Sequence, residues 1–334
     1  MTVNKNVTFK GKTNGFERWE FVHNALPELN LSDIDTTVSF LDKKISFPFM
    51  ISCMTGGYKE AEKINHDLAE ICEEYSIAMG VGSQRQAMED TTYHSSFSVA
   101  RTIAPSIPLI GNIGAPEVAQ LKDASKVVKL AELIRADAFA VHLNPLQEFL
   151  QPEGNTNFSG VLKGIALLVK EMPVPVIVKE IGAGISSDVA QRLLEAGISY
   201  IDVAGAGGTS WAGVEILRRD KNIHEDWNPF WDWGIPTAKA LVEIGELKER
   251  YPRLQMIASG GISNGVESAK AIALGAILTT AARPMLQALM RGGKQELRAV
   301  IEQWKSHLKG VMFLTGARTI EELRTSHQLQ YIDT

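Results

Sequence analysis

Four polar side chains that could carry out chemistry lie within one seven-residue segment, 142–148. They are His142, Asn144, Gln147 and Glu148. The segment follows the apolar run 138–141, and Pro145 removes a backbone donor, so the run cannot simply continue as a sheet strand. In (β/α) enzymes the chemistry lies where strands end. We therefore interpret this segment as part of an active site; the alternative for His142 is a hydrogen-bonded histidine of the core.

Small residues end two later apolar runs. Gly260 and Gly261 follow one of them, and Ala281 and Ala282 close the last. Small residues let backbone N–H groups approach a phosphate closely, and phosphate sites recur in the last loops of barrels. These turns predict a phosphate cradle, with an ordinary turn as the alternative at 260–261. The glycine-rich stretch 205–208 could admit a flat ring or another phosphate, although glycine also serves turns.

Eight short apolar runs form the elements that must position these residues. They cover 47–54, 78–83, 108–114, 138–144, 174–182, 200–207, 255–261 and 276–282. Continuous apolar character is typical of parallel strands buried on both faces. Eight strands separated by amphipathic stretches predict an α/β fold, a closed (β/α)8 TIM barrel.

Helical patterns separate the runs. They cover 59–75, 116–135, 158–172, 187–196, 237–251 and about 285–314. Gly292-Gly293 is a potential break in the last pattern. Asn264 and Glu267 have the spacing of a capping box at the start of a further helix.

Two regions lie outside this repeat. Residues 1–46 form an N-terminal extension to the barrel domain 47–334, and they include a potential hairpin, 37–41 with 44–47, that could plug the barrel. The connection 210–236, after the sixth strand, contains four tryptophans. Long loops within domains are often lids, and so many aromatic residues argue against disorder.

Lys179 ends the fifth run and would point into the barrel mouth. A buried ammonium needs an anionic partner, which a reduced flavin ring would supply; the alternative is an ion pair with Glu180 or another carboxylate. Asn112, in the third run, could contact a cofactor or serve a turn. With the phosphate turns, Lys179 favours FMN over a nicotinamide cofactor, because the chain has no G-x-G-x-x-G fingerprint.

Composition excludes several other classes of protein. The chain has 334 residues, 45% of them hydrophobic, and a net charge of −5, so it lacks the basic footprint of a nucleic-acid-binding protein. The sequence shows neither a signal-like core nor a membrane span, which predicts a cytoplasmic protein without membrane contact. Cys53 and Cys72 have no spacing typical of zinc or disulfides and are expected to be core thiols.

Across these segments the chain resembles type 2 isopentenyl diphosphate isomerase, a family of FMN-dependent barrel enzymes of isoprenoid synthesis. The motifs that carry the resemblance lie at 12–15, 23–28, 54–57, 82–85, 142–148, 207–211, 232–234, 258–261 and 312–316. They are spread over nearly the whole chain.

The resemblance implies a role for each of the following residues. FMN contacts are implied for Met54, Thr55, Gly56, Ser83, Asn112, Lys179, Thr209, Gly260, Gly261, Ala281 and Ala282. Substrate contacts are implied for Arg85, His142, Asn144, Gln147, Ser186 and Trp211. Catalytic roles are implied for Gln147, His142 and Glu215, and Mg²⁺ binding for Glu148.

The reaction implied by the resemblance is the reversible isomerisation of isopentenyl diphosphate to dimethylallyl diphosphate, without net redox change. Protonating the alkene creates positive charge, so the site should supply a proton and a nearby negative charge. Arg85, His142 and Mg²⁺ would neutralise the diphosphate. The resemblance also implies a homo-oligomer, tetramer or octamer, and FMN reduced by NADPH or another reductant.

The chain departs from the family pattern in two places. The basic motif Arg-Lys-x-x-His-Ile would fall before Met1, and Lys5, Lys10 and Lys12 do not reproduce its spacing. Ser263 also stands where the family often has a basic residue. Either the chain is trimmed at its start, or it uses diphosphate differently.

Two other functions stay open on the same fold. One is an FMN-dependent oxidoreductase of the 2-hydroxy-acid type, against which the Gln147-Glu148 pair argues. The other is a catalytically impaired flavin-binding relative, as the departures would allow. A nucleotide dehydrogenase with a loop cysteine is disfavoured because Cys53 and Cys72 lie in apolar, strand-like and helix-like runs.

Overall fold

The chain folds into a closed barrel of eight parallel strands. The computed structural model describes residues 7–58 and 60–332. Its strands are β1 (Trp19–Phe21), β2 (Val38–Phe40), β3 (Lys43–Ile45), β4 (Phe49–Ile51), β5 (Ala78–Gly80), β6 (Leu109–Gly114), β7 (Ala138–His142), β8 (Val176–Lys179), β9 (Tyr200–Asp202), β10 (Gln255–Ala258), β11 (Ala276–Ala281) and β12 (Leu329–Tyr331). Strands β4 to β11 form the barrel in sequence order, and β11 pairs with β4 to close it. The predicted (β/α)8 TIM barrel is confirmed.

Each predicted apolar run contains one barrel strand, but the strands are shorter than the runs. The run 200–207 supplies only β9, which ends at Asp202. Beyond it, Ala204 and Gly207 have φ angles of 37° and 119°, values that take the backbone out of the extended ladder. The residues that leave the ladder build the loops at the barrel mouth.

Helices surround the barrel. They are α1 (Ala61–Tyr75), α2 (Arg85–Glu89), α3 (His94–Ile103), α4 (Ala115–Val118), α5 (Ser125–Leu133), α6 (Pro145–Leu150), α7 (Val161–Glu171), α8 (Ser187–Glu195), α9 (Trp211–Ile216), α10 (His224–Trp227), α11 (Thr237–Gly245), α12 (Gly265–Ala273), α13 (Arg283–Thr315) and α14 (Ile320–Thr325). Short 3₁₀ turns cover Phe16–Arg18, Leu31–Asp33, Thr91–Tyr93, Lys221–Ile223, Asn228–Phe230 and Glu246–Lys248.

The helix patterns were largely confirmed, with one clear error. The pattern 116–135 is two helices, α4 and α5, separated by a turn in which Asp123 accepts a hydrogen bond from the N–H of Ser125. The break predicted at Gly292-Gly293 is present within α13. Lys59, the first residue of the pattern 59–75, lies outside the described residues.

The capping box predicted at 264–267 is present in a modified form. The Asn264 side chain accepts hydrogen bonds from the N–H groups of Val266 and Glu267 at the start of α12. The returning Glu267 carboxylate accepts from the N–H of Ser263 rather than from that of Asn264. The cap therefore also fixes the loop that follows Gly260-Gly261.

An apolar layer fills the barrel interior at the end where the strands begin. It includes Met50, Ile110, Ile177 and Leu278 from four different strands. The predicted hairpin forms from β2 and β3, and its Phe40 and Ile45 belong to the same buried cluster. The hairpin thus covers this end of the barrel, opposite the mouth.

An N-terminal segment, residues 7–14, crosses the other end of the barrel. The N–H of Ser210 donates to the Val7 carbonyl, and Asp232 accepts from the N–H groups of Lys10 and Gly11 at 2.8 and 2.9 Å. The Asn14 side chain donates to the Gly261 carbonyl at 2.9 Å. This segment therefore ties together the loops after β9 and β10.

The connection 210–236 is ordered rather than loose, as its tryptophans predicted. It contains α9 and α10, and Trp231, 7% exposed, donates from its indole nitrogen to the Thr8 carbonyl. Within the described ranges, the helices are all too short or too polar to traverse a lipid bilayer.

Candidate active site

A polar layer lies above the apolar layer, where the barrel strands end. Side chains two positions apart on a strand share a face. A residue two positions after an inward-pointing apolar residue therefore also points inward. Asn112 follows Ile110 in this way, Lys179 follows Ile177, and Thr280 follows Leu278. Strand alternation thus places Asn112 and Lys179 in a polar layer above the apolar one, and their contacts with a cofactor stay predictions.

Lys179 lies at the centre of this layer and is only 7% exposed. Its ammonium donates to the Glu180 backbone carbonyl at 2.7 Å, and none of the carboxylates in the described part of the chain forms an ion pair with it. Glu180 is instead occupied with the N–H groups of residues 181–183. The alternative of a Lys179–Glu180 ion pair is therefore wrong.

Asp202 is a buried carboxylate whose charge interacts with that of this ammonium. Burial raises the pKa of the Asp202 carboxyl, and the charge of Lys179 opposes that rise. Asp202 accepts from the Ser259 hydroxyl at 2.6 Å through one oxygen, while its other oxygen and the Thr280 hydroxyl, both buried, have no partner among the described residues. This floor therefore offers donors and acceptors to a bound group.

The phosphate turns close the same side of the mouth. Gly260 and Gly261 have φ angles of 100° and 75°, which favour glycine, and a Cβ on Gly261 would lie 2.6 Å from the Gly207 carbonyl carbon. Helix α13 begins directly after Ala282, and no side chain caps its N-terminus. Exposed N–H groups there suit a phosphate. Together with the ammonium of Lys179, this arrangement fits FMN.

The His142 imidazole is neutral in this environment. Its Nδ1 lies 3.0 Å from the Asn112 side-chain oxygen. Burial, together with the positive charges of Lys179 and Arg85, lowers the pKa of His142 to about 3. The role of His142 in binding a diphosphate stays a prediction.

A line of hydrogen bonds joins the segment 142–148 to α9. Asn144 donates from Nδ2 to Gln147 Oε1 at 3.2 Å and to Glu148 Oε1 at 2.8 Å. Gln147 donates in turn to Glu215 Oε1 at 3.0 Å. Glu215 is 1% exposed and Asn144 is 3% exposed. The structure thus brings these four predicted residues together.

Two charged residues near this line were not predicted. Glu117 lies 3.7 Å from Arg85, and burial raises the pKa of its carboxyl, with Arg85 opposing and Glu148 adding to the rise. Arg218 pairs with Glu215 at 2.6 Å. Neither belongs to a strand-end motif, so only the tertiary fold reveals them.

Oxygen donors for a hard cation lie beside the diphosphate candidates. Glu117 and Glu148 influence each other electrostatically, and the buried Asn144 Oδ1 has no partner among the described residues. Carboxylate and amide oxygens are the ligands that Mg²⁺ prefers. The donor set therefore fits the ion predicted at Glu148.

The other predicted residues have contacts of different kinds. Thr55 bonds to Asn65, and a Cβ on Gly56 would collide with the Phe97 ring. Ser186 caps α8 through its hydroxyl oxygen. Met54, Ser83 and Thr209 are half-buried in the loops that follow β4, β5 and β9. Trp211 and Gln147 line one small cavity with Gly182 and Trp233.

Two basic side chains of the N-terminal segment contact other parts of the fold. The Lys10 ammonium lies 3.7 Å from the ring centroid of Trp231, and Lys12 donates to the Gly234 carbonyl at 2.6 Å. Lys5 lies outside the described residues. A cavity of about 590 Å³ lies at the opposite end beside β2 and β3 and contains no predicted site residue.

Comparison with known proteins agrees with this architecture. The model of the family described as FMN-dependent dehydrogenase matches residues 2–103 and 124–330. An isopentenyl-diphosphate delta-isomerase of Pelodictyon phaeoclathratiforme is 49% identical over 328 residues, covering 95% of this chain and 91% of the relative. One from Pseudescherichia vulneris is 45% identical, covering 95% of this chain and 90% of the relative.

Solved structures show the same fold at low identity. A mandelate oxidase variant with a monooxide FMN adduct has a TM-score of 0.64 and 17% identity, with 95% of this chain and 89% of that chain covered. A flavocytochrome b2 variant with sulfite bound has a TM-score of 0.71 and 20% identity, with coverages of 98% and 79%. At this identity the likeness concerns the fold alone.

Proposed function

Because this chain belongs to the FMN-dependent dehydrogenase family and, among its members, to the isopentenyl-diphosphate delta-isomerases, we propose that it interconverts isopentenyl diphosphate and dimethylallyl diphosphate with FMN and Mg²⁺. The buried line Asn144–Gln147–Glu215 carries this proposal. It brings the Gln147 amide, which lines a small cavity with Trp211, into contact with the Glu215 carboxylate. An alkene that takes up a proton develops positive charge, which a nearby carboxylate stabilises.

The polar layer and the phosphate turns would hold the cofactor. Reduced FMN, kept so by NADPH or another reductant, would supply the acid–base and electrostatic chemistry at the double bond. Lys179 would bind the flavin ring through donors that the protein leaves open. Gly260, Gly261 and the N-terminus of α13 would bind its phosphate.

The other side of the mouth would bind the diphosphate. Arg85, whose side chain is 56% exposed, can turn toward an incoming anion. Mg²⁺ held by Glu148, with Glu117 nearby, would add positive charge, and His142, held by Asn112, would contact the substrate. Trp211 would cover the apolar part of the substrate and exclude water.

An anaerobic assay tests the proposal. FMN-loaded protein, reductant, Mg²⁺ and isopentenyl diphosphate should yield dimethylallyl diphosphate, and oxidised FMN or a chelator should abolish the product. Absence of product from flavin-loaded protein with reductant and Mg²⁺ would contradict the proposal. It would favour a flavin-binding relative without this activity. Reduction of the flavin by 2-hydroxy acids would instead support the oxidoreductase.

A further inference from the structure

We propose that Arg218 is a positioning residue that fixes Glu215, so that Glu215 in turn fixes the side-chain amide of Gln147. The inference rests on the proposed function, because it assigns Gln147 and Glu215 to the reacting part of the substrate. Arg218 itself contacts neither the amide nor the cavity at Trp211 and acts only through Glu215.

The geometry forms one continuous line. Arg218 donates from Nη1 to Glu215 Oε2 at 2.6 Å, and Glu215 Oε1 accepts from Gln147 Nε2 at 3.0 Å. On the other side of the guanidinium, Nη2 pairs with Glu153. The guanidinium of Arg218 therefore bridges two carboxylates. The side chain of Glu215 is 2% exposed, and the side chain of Glu153 is 55% exposed.

The line determines which way the Gln147 amide points. In the observed orientation Oε1 accepts from Asn144 Nδ2 and Nε2 donates to Glu215. A flipped amide would place Nε2 against the Asn144 NH₂ group and Oε1 against the carboxylate, two repulsive contacts. A correctly held Glu215 carboxylate therefore selects one of the two orientations.

Glu215 needs a cationic partner to keep this position. A carboxylate removed from water is costly unless it is paired and hydrogen-bonded, and a guanidinium offers the strongest such bonds. Without Arg218, Gln147 would be the remaining side-chain donor to Glu215 among the described residues. We expect the carboxylate then to shift, and the amide to lose its fixed orientation.

Kinetics of Arg218→Gln, Arg218→Lys and Arg324→Gln test the inference on FMN-loaded enzyme. Arg324 is a matched control, because it pairs with Glu321 three residues away at the opposite end of the barrel. R218Q should lower kcat about ten- to hundredfold with KM changed less than about threefold, since the diphosphate contacts remain. R218K should recover part of kcat, and R324Q should stay within about twofold of wild type.

A double-variant cycle identifies the path of the effect. If Arg218 acts through Glu215, R218Q should lower kcat no further in an E215Q background, within about twofold. Independent, multiplicative losses would overturn the inference, as would a loss of FMN affinity or a rise of KM that accounts for the whole defect. Such a result would make Arg218 a general structural residue.

Crystal structures of the FMN-bound variants give a readout that does not depend on turnover. The 3.0 Å contact between Gln147 Nε2 and Glu215 should be lost in R218Q and retained in R218K and R324Q. If the wild type fails to isomerise the substrate, the proposed function fails while this comparison still decides the positioning role. An unchanged contact in R218Q would refute that role.

Discussion

The charge of His142 depends on its surroundings, and its effect on stability has a definite sign. Burial and the nearby cations Lys179 and Arg85 lower the pKa of His142 to about 3, against about 6.5 in an unfolded chain. Between these values the unfolded state binds the extra proton, so the unfolding free energy should fall as pH decreases from about 6.5 toward 3. The slope from this one group is at most about 1.4 kcal/mol per pH unit.

Urea unfolding of the cofactor-free wild type and of His142→Asn at several pH values measures this effect. The variant should lose less stability than the wild type on acidification. Raised pKa values of Glu180 and Asp202 act in the opposite direction in both proteins, and the comparison largely removes them. Parallel stability curves would mean that His142 is protonated in the folded protein.

Lys179 should distinguish between the redox states of the cofactor. Its buried ammonium donates to one carbonyl and has no ion-pair partner among residues 7–58 and 60–332, so it can stabilise negative charge on a reduced ring. Lys179→Ala should weaken binding of reduced FMN more than binding of oxidised FMN and lower the flavin midpoint potential. Lys163→Ala, an exposed position on α7, serves as the control. Equal losses in the two redox states would contradict the electrostatic role.

At the scale of elements, two glycine-to-alanine substitutions compare a glycine of the phosphate turn with a glycine inside a helix. A Cβ at Gly261 would lie 2.6 Å from the Gly207 carbonyl carbon, and its φ of 75° disfavours other residues. Gly261→Ala should therefore weaken FMN binding and destabilise the protein by about 1–3 kcal/mol. Gly310→Ala, near the C-terminal end of α13 with open space around it, should be neutral or stabilising by up to about 1 kcal/mol. Flavin titration and thermal unfolding measure both; equal effects would remove the special role of the turn.

The elements also show what could be read from the sequence. Continuous apolar runs identified all eight barrel strands, because a strand covered on both faces needs apolar residues along its length. Asn144, Gln147 and Glu148 could be recognised because they lie close together in the sequence, directly after a barrel strand. Arg218 and Glu117 were missed because their partners come from other elements, and only the closed barrel brings these elements together.

At the scale of the whole molecule, the two ends of the barrel have different roles. One end contributes mainly to stability, and the other contains the candidate active site. Phe40 of the hairpin is 3% exposed and packs with Ile45 against the apolar floor, while the polar layer lies at the other end. Phe40→Ala should lower the unfolding free energy by about 3–5 kcal/mol, since it leaves a cavity in the core. Leu26→Ala, a position 74% exposed, should change it by less than about 0.5 kcal/mol.

The same variant tests whether the two ends are independent. Below its melting temperature, Phe40→Ala should bind FMN with an affinity within about threefold of wild type, because close-packed strands separate the hairpin from Lys179 and the phosphate turns. Denaturant unfolding combined with flavin titration measures both quantities on one sample. A parallel loss of FMN affinity in the folded protein would mean that the hairpin end controls the geometry of the mouth through the apolar layer.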